Sequence, residues 1–367
     1  MTDQDYMQLA LEEAWKGCGF VNPNPMVGAV IVKNGRVIGK GAHESYGGPH
    51  AERNAIAHCT ENLKDATLYV TLAPCCHFGK TPPCTDAILK SGIRRVVIGS
   101  HDPNPLVAEK SVEMLRQHGV EVTAGILRKE CDALNDVFFH FIRTREPYVV
   151  MKYAMTMDGK IATASGKSKW ITGEAAREKV HQDRKRYTAI MTGIGTVLSD
   201  DPLLTCRIPG GRNPVRIVCD TKLRIPLTAQ LVKTAQKTRT IIVTGSSDVK
   251  KRSLLSKAGC EIFTLPLKNG RIDLKTLMRK LGEMDIDSVL MEGGPQLNSA
   301  ALESGIVRKV QAYISPKLFG GQQAKTPVGG TGVDSPKAAW HLSAPLITKL
   351  GQDILLESEV TPCLQEL

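Results

Sequence analysis

The sequence predicts an α/β protein of two consecutive domains, on three grounds. Its 367 residues suffice for two domains of about 150 residues or more, each burying its own core. Short β-rich runs alternate with helix-like stretches along both halves. Between the halves, Arg143-Thr144-Arg145-Glu146-Pro147 stops a helical run through Leu134 and Phe138 and opens the β-rich segment YVVMKYAMT, because proline disfavours helix in the residue before it. The expected domains are residues 1–145 and 146–367.

The elements of the first half follow from local pattern. MTDQDYMQLALEEAWKG places Tyr6, Leu9, Ala10 and Ala14 at helical spacing behind an Asp3 cap. Residues 27–42 read strand, Asn34-Gly35 turn, strand, and that dipeptide favours a two-residue hairpin. A helix from His50 to His58, a strand from Thr67 to Leu72, a helix from Cys84 ended by Gly92 and a strand from Arg94 to Gly99 come next. Helix Ala108 to His118 and strand Val120 to Thr123 complete the half.

In the second half the expected order is strand Tyr148 to Ala154, an Asp158-Gly159 turn, another strand, helix Glu174 to Arg184 and strand Ala189 to Thr192. Further strands are expected at Val215 to Cys219, Thr240 to Val243, Glu261 to Leu265, Ser288 to Met291 and Lys309 to Ile314. Residues 223–239 read as a basic, loop-rich connection, and residues 320–332 as a mobile loop.

Composition narrows the function classes. Hydrophobic content of 42% and charged content of 23% suit a soluble globular chain. The net charge of +11 fits either nucleic acid or phosphorylated small molecules. Lys and Arg are dispersed and aromatics are only 5%, so base-stacking platforms are not evident and small phosphorylated ligands are expected. The amino terminus lacks the basic head and apolar core of a signal peptide, and no apolar run approaches the ~20 residues of a membrane helix. A cytoplasmic protein with ten reduced Cys residues and no membrane partner is the expectation.

One stretch carries the chemistry: GGPHAERNAIAHCTENLKDATLYVTLAPCCHFGKTPPCTDAI, from Gly47 to Ile88. His50, Cys75 and Cys84 offer an imidazole and two thiols, enough for three corners of a tetrahedral zinc site. A structural zinc takes a fourth protein ligand, whereas a catalytic one keeps that corner for water and lowers its pKa to about 7. Glu52 is then a carboxylate free to take a proton from water and pass it to a departing nitrogen. Nucleobase deaminases read H-x-E followed by P-C-x-x-C; His50-Ala51-Glu52 and Pro74-Cys75 match. The second half departs, with Phe78 at the usual second Cys and Cys84 beyond the insert CHFGKTPP. Helix starts at Cys75 and Cys84 would favour both thiolates. Cys59, Cys76 and His77 are read as non-ligands, and a structural knuckle that recruits His77 leaves Glu52 idle.

The runs PHAE and PCCHFGKTPPCTDAI, with VNPNPMVGAVIVKNGRVIGKGAHESYGGPHAE before them, resemble the pyrimidine deaminase half of the bifunctional riboflavin-biosynthesis deaminase–reductase family. That resemblance implies a cytidine-deaminase-like α/β/α domain. It also implies that Asn24, His43 and Lys80 line the pyrimidine pocket, although by themselves they read as turn or solvated residues.

For the second half, Gly193-Ile194-Gly195 begins like a dinucleotide fingerprint, but Leu198 takes the third glycine's place. Glu292-Gly293-Gly294-Pro295, where strand SVLM meets a helix, is a better anion site; a tight turn is the alternative. Arg177, His181 and Arg184 share one helix face, either solvated or with Arg184 joining Arg207 to clamp a phosphate. Lys152, Asp200 and Glu292 are ionisable groups beside apolar segments, able to position a sugar or move a proton. Trp170 could fill the core. MKYAMTMDGKIAT, SKWITG, TGIGTVLSDDPLLTCR and MEGGPQLNSA resemble the reductase half of the same family, which implies a dihydrofolate-reductase-like fold that uses NADPH. By that resemblance NADPH contacts Ala154, Trp170, Thr196, Asp200, Thr221 and the run Gly294, Pro295, Gln296, Leu297, Asn298, Ser299 and Ala300. Ser168, Arg184, Leu204, Arg207 and Glu292 fall to the substrate by the same resemblance, and Lys152 is added to them as an ionisable candidate read from the residues.

The resemblance therefore implies a two-step enzyme. Zinc chemistry deaminates 2,5-diamino-6-ribosylamino-4(3H)-pyrimidinone 5′-phosphate, and NADPH then reduces the ribosyl chain to give 5-amino-6-ribitylamino-uracil 5′-phosphate. A homo-oligomer without nucleic acid is expected. The rival readings are a polynucleotide-acting zinc deaminase with a C-terminal RNA-binding module and a non-catalytic zinc scaffold.

Overall fold

Asn34 and Gly35 both take positive φ, 50° and 74°, and fold strand β1 (Gly28–Lys33) back on β2 (Arg36–Ala42). The computed structural model describes residues 1–76, 82–103 and 110–361, and the chain divides into two units, Met1–Arg145 and Glu146–Leu367. In the first, β3 (Thr67–Leu72) pairs antiparallel with β1, and β4 (Arg95–Ser100) and β5 (Glu121–Ala124) continue in parallel, giving the order β2-β1-β3-β4-β5. Helix α1 (Asp3–Ala14) covers one face. Helices α2 (Ala51–Ala57), α3 (Cys84–Ser91) and α4 (Lys110–Gln117) cover the other. Helix α5 (Arg128–Leu134) joins α1 on its face, and α6 (Asp136–Thr144) ends the unit.

Both faces of the sheet are buried, so its central strands are largely apolar, with Thr71 and Ser100 as buried polar exceptions. Val30, Val32 and Val97 pack towards α1, whereas Ile31, Val70, Val96 and Ile98 pack towards α2 and α3. The cap of α1 differs from expectation. Thr2, not Asp3, is the N-cap and forms a capping box with Asp5, because Asp3 is drawn to Arg95 at 2.7 Å and accepts the Tyr69 hydroxyl at 2.8 Å. The apolar stripe is shifted too, with Met7 and Leu11 buried beside Tyr6, Ala10 and Ala14.

Helix α2 lies directly on the backbone of β2. A Cβ at Gly41 would stand 2.2 Å from Ala55 N and 2.5 Å from Ala51 O, and one at Gly39 2.6 Å from Ala55 O. These glycines permit that approach.

The second unit is built on a nine-stranded sheet. Its strands are β6 (Tyr148–Thr156), β7 (Ala189–Gly193), β8 (Val215–Cys219), β9 (Thr240–Thr244) and β10 (Cys260–Thr264), then β13 (Ser288–Met291), β14 (Val307–Ser315), β15 (Leu346–Leu350) and β16 (Asp353–Glu359). A separate small hairpin pairs β11 (Leu267–Lys268) with β12 (Arg271–Ile272). The order is β10-β9-β8-β7-β13-β6-β14-β16-β15, parallel as far as β14 and antiparallel beyond it. Helices α7 (Glu174–Arg186), α8 (Ile194–Asp200), α9 (Gln230–Lys233) and α10 (Val249–Lys257) precede α11 (Leu274–Gly282) and α12 (Pro295–Glu303). Helices α11 and α12 bury Leu277, Leu281 and Ala301 against Val149, Met191 and Val289; α8, α9 and α10 bury Val197, Leu231 and Leu255 against Ile190, Val218 and Ile242.

Three expectations are corrected here. No strand follows Asp158-Gly159: Thr156 N–H closes the turn on Lys160 O, and Ile161 N–H donates to Lys325 O, so residues 160–173 run irregularly beside a distant loop. The stretch 223–239 is not simply a loop, since it contains α9 and buries Ile225, Leu231 and Val232. Helices α10 and α11 and the β15–β16 hairpin have no counterpart in the sequence-based layout.

Candidate active sites

In the first unit the chain brings His50, Cys75 and Cys84 together, with their ligand atoms all within 4.8 Å of one another. His50 is the N-cap of α2, and Cys84 is the first residue of α3 behind Pro83. Cys75 instead lies in the irregular segment after β3, so the expectation that it opens a helix is not met. It is tied to α3 otherwise: the backbone N–H of Cys84 donates to Cys75 Sγ at 3.3 Å, and that of Thr85 to Cys75 O at 3.2 Å. Arg53 donates to the carbonyls of Pro82 and Pro83 at 3.2 and 3.1 Å, anchoring the approach to Cys84.

The donor set fits zinc. His50 Nδ1 is 3.5 Å from Cys75 Sγ and 3.4 Å from Cys84 Sγ, close to the ~3.5 Å edge of a tetrahedron with ordinary Zn–N and Zn–S bonds. The Cys84 thiol, the His50 imidazole and the Cys84 N–H together outweigh burial and hold the Cys75 thiol down to about 4, the thiolate form that metals take. Cys84 is pushed up by that neighbouring thiolate and by burial, a direction that a bound cation reverses. Glu52 is 3% exposed and outside the ligand set. Burial and then the Cys75 thiolate push its carboxyl up, and it hydrogen-bonds to the Cys84 thiol. A carboxyl so placed can both accept and return a proton.

Asn24 and His43 meet beside this set. His43 Nδ1 lies 3.0 Å from Pro49 O, its Nε2 3.2 Å from Asn24 Nδ2, and its ring stands edge-on to His50 at 5.3 Å. Burial lowers the His43 pKa, so the neutral ring donates from Nδ1 and accepts from Asn24. Cys59 donates its thiol to Ala55 O and, like Cys76, is not in the cluster. Lys80 and His77 lie outside the described residues.

The second unit carries a groove of three cavities that share lining residues, of about 620, 980 and 370 Å³. The first is lined by Lys152, Ala154, Ser168, Trp170, Thr196 and Asp200, and also by the α7 face of Arg177, His181 and Arg184 with Leu204, Arg207 and Glu292. At its floor Arg184 grips Glu292 with two bonds, 2.7 and 2.9 Å, and gives its remaining arm to Thr205 O at 3.0 Å. Lys152 Nζ is 3.7 Å from Glu292. Burial pushes Glu292 up, but Arg184 and Lys152 together hold it at about 2. Burial lowers Lys152 despite Glu292. Arg184 is therefore engaged by a carboxylate in this structure, where the sequence left it either solvated or joined to Arg207 at a phosphate. Arg207 is exposed, and its backbone N–H donates to His181 Nδ1 at 3.3 Å. Burial, Arg184 and Arg207 lower His181 to about 4, which keeps it a neutral acceptor. Trp170 does not fill the core: it is 63% exposed, with the Arg177 guanidinium 4.9 Å from its ring.

The middle cavity runs past Gly293, Gly294, Pro295, Gln296 and Leu297 at the start of α12, and the third takes in Thr221 and Ala300. Asn298 and Ser299 do not line the groove, since Asn298 donates to Pro327 O and Ser299 to Glu303. A Cβ on Gly293 would stand 2.8 Å from Asn298 Oδ1 and 3.1 Å from Leu297 Cδ2. The bare backbone there makes a cradle that fits a dinucleotide pyrophosphate at a helix start.

Comparison with known proteins agrees with both halves. Residues 1–100 match the cytidine and deoxycytidylate deaminase zinc-binding region, and residues 147–356 match the RibD C-terminal domain. The riboflavin biosynthesis protein RibD of Actinobacillus pleuropneumoniae is 56% identical over 97% of this chain and 95% of its own length. The chain belongs to the RibD family. The RibD protein of Aquifex aeolicus is 42% identical over 96% of this chain and 97% of its own. A solved Thermotoga maritima diaminohydroxyphosphoribosylaminopyrimidine deaminase/5-amino-6-(5-phosphoribosylamino)uracil reductase superposes with a TM-score of 0.85 at 40% identity, covering 98% of this chain and 99% of that one.

As a RibD family member the chain is a bifunctional riboflavin-biosynthesis enzyme, a zinc-dependent deaminase and an NADPH-using reductase. Its halves have the cytidine-deaminase-like and dihydrofolate-reductase-like folds. The reading of the second half as an RNA-binding module is overturned by the RibD C-terminal match, and the zinc scaffold without activity is set aside with it. Among the described residues no helix is long and apolar enough to cross a membrane.

Sequence reasoning missed several groove residues. Gln323 and Lys325 come from a loop without any local signature, and Lys160, although it follows the Asp158-Gly159 turn, was not singled out. Arg271 had one, because Asn269-Gly270 beside it is a hairpin turn pair.

Proposed function

We propose that residues 1–145 remove the amino group of 2,5-diamino-6-ribosylamino-4(3H)-pyrimidinone 5′-phosphate, and that residues 146–367 then reduce the ribosyl chain of the product to ribityl. The observation that carries the first step is the three-ligand cluster of His50, Cys75 and Cys84 beside a buried Glu52. Zinc, when bound by these residues, supplies a Lewis acid that lowers the pKa of water to about 7. Glu52 takes the proton of the attacking water and returns it to the amino nitrogen, which leaves as ammonia while the ring carbon becomes a carbonyl. Asn24, held by His43, orients the pyrimidine edge, with Lys80 assigned to the same pocket.

For the second step Gly294, Pro295, Gln296 and Leu297 would hold NADPH, which when bound would supply the hydride that the ribosyl C1′ takes up. The C1′–O4′ bond breaks, and the ring oxygen needs a proton. Lys152 gives it: Glu292, held at about 2, is an acceptor only, and burial eases the proton's departure from Lys152. Glu292 and Arg184 fix the sugar end, with Ser168 and Leu204 at its sides. Ala154, Trp170, Thr196, Asp200 and Thr221 accompany the cofactor. Arg207 takes the 5′-phosphate. Small phosphorylated molecules are the only partners in this reading, with a cytoplasmic setting, no nucleic acid, no membrane and a homo-oligomeric state.

Incubation with the diaminopyrimidine nucleotide, following ammonia and NADPH separately, tests the scheme. Stripping zinc with a chelator is expected to stop ammonia release while the supplied deaminated nucleotide is still reduced. Ammonia release that survives complete metal removal would count against the metal set. Arg207→Ala is expected to raise the reductase KM by roughly tenfold to a hundredfold, the worth of a charge-assisted bond of about 1.5–3 kcal/mol, with little change in kcat. An unchanged KM in steady-state assays would remove Arg207 from the phosphate site.

A further inference from the structure

We propose that Arg224 and Arg271 form a subsite for a phosphate monoester at the far end of the second unit's groove, selecting a dinucleotide with a phosphorylated adenosine ribose over one with free hydroxyls. This rests on reading the groove as the NADPH site. The two guanidiniums line the cavity of about 370 Å³ together with Cys219 and Thr221, and no carboxylate lines it. That cavity shares Gly193, Gly195, Gln296 and Leu297 with the middle of the groove, so one extended ligand can reach both.

The cavity lies at the end of β8. In Rossmann-type dinucleotide sites an acidic residue near a strand end takes ribose hydroxyls, whereas an arginine accommodates the phosphate, and the same chemistry applies to any groove that binds the adenosine ribose. The acid at this strand end, Asp220, is fully buried, and its Oδ2 accepts the Ile225 N–H at 2.7 Å. It braces the turn from within and is not offered to a ribose. The same turn leaves Arg224 exposed at the rim beside Thr221.

Arg271 arrives from a different element. The β11–β12 hairpin turns through Asn269 at φ 51° and Gly270 at φ 72°, and Ile272 anchors it in the core, so Arg271 is exposed over the cavity. Neither arginine has an ion pair among the described residues. Two uncompensated guanidiniums suit a dianion and give nothing comparable to a neutral diol.

Calorimetric titration of the full chain with NADPH, NADH, 2′,5′-ADP and 5′-AMP tests this without turnover. Arg224→Gln and Arg271→Gln are each expected to weaken NADPH and 2′,5′-ADP by about tenfold or more. NADH and 5′-AMP binding is expected to stay as it was, and the double variant to lose its preference for the phosphorylated ligands. A double variant that keeps the wild-type preference overturns the proposal, as does equal loss for NADPH and NADH. Gly294→Trp in the middle of the groove separates the two readings. NADPH binding that survives it overturns the groove assignment as well, whereas NADPH binding lost there with preference intact in the double variant overturns the arginine subsite alone.

Discussion

Glu52→Gln is expected to cut ammonia release by roughly a hundredfold to ten-thousandfold, the range for losing a general acid–base group, while zinc content and reduction of the supplied deaminated nucleotide stay at wild-type levels. Glutamine keeps the shape of the side chain but can neither accept the water proton nor return it. Zinc is expected to persist because Glu52 is not one of the three clustered ligands. Reduction is expected to persist because the second unit has its own sheet and core. The carboxyl is already pushed up by burial and the Cys75 thiolate, so its replacement by a neutral amide adds no buried charge, and the variant is expected to fold. Loss of both activities in a folded variant, read in separate ammonia and NADPH assays, would contradict this assignment.

Arg184→Met is expected to destabilise the second unit by about 3–5 kcal/mol, the usual cost of leaving one partner of a buried ion pair behind. The side chains of Arg184 and Glu292 are only 12% and 13% exposed, so solvent does little to replace the lost bonds. The pH dependence gives a sharper test. Glu292 is held at about 2, below its ordinary 4.5. A carboxylate with a depressed pKa contributes stability that is complete above the unfolded value and disappears as pH falls through the folded one. The gap between wild type and Arg184→Met, measured by urea denaturation, is therefore expected to be full at neutral pH and to narrow from about 4.5 towards 2. A gap independent of pH in that window would mean that the pair is not what Arg184 contributes. Adding Glu292→Gln to Arg184→Met is expected to restore part of the loss.

These two sites differ in how far the sequence reveals them. His50, Glu52, Cys75 and Cys84 fall within one stretch, and their residue types narrow the chemistry before any fold is known. The long interval to Cys84 still closes, because Cys84 opens α3 and its own N–H reaches Cys75. In the second unit the decisive pairing of Arg184 with Glu292 spans 108 positions. Neither residue has a local pattern that names the other, so sequence alone left Arg184 open to a phosphate. The resemblance supplied a cofactor and a residue set there, yet could not say that Asn298 and Ser299 turn away from the groove.

Secondary structure shows the same division. The 27–42 hairpin was legible because Asn34-Gly35 forces the turn and apolar residues fill β1. The β15–β16 hairpin was not, since Leu346 and Ile347 at its outer strand are each 65% exposed and give no two-residue rhythm. The strand expected after Gly159 does not form, and there the backbone of Ile161 bonds across to Lys325 O instead.

The contact of Gly39 and Gly41 with α2 bears on how this enzyme can drift. At Gly41 the bite of its chelating trio is gauged by main chain resting on main chain, and at Gly39 by the Ala55 carbonyl together with the Cys59 sulfur. A single methyl at either glycine acts as a wedge under the short helix on which the imidazole and the proton carrier both ride, and through Arg53 it also pulls on the turn before Cys84.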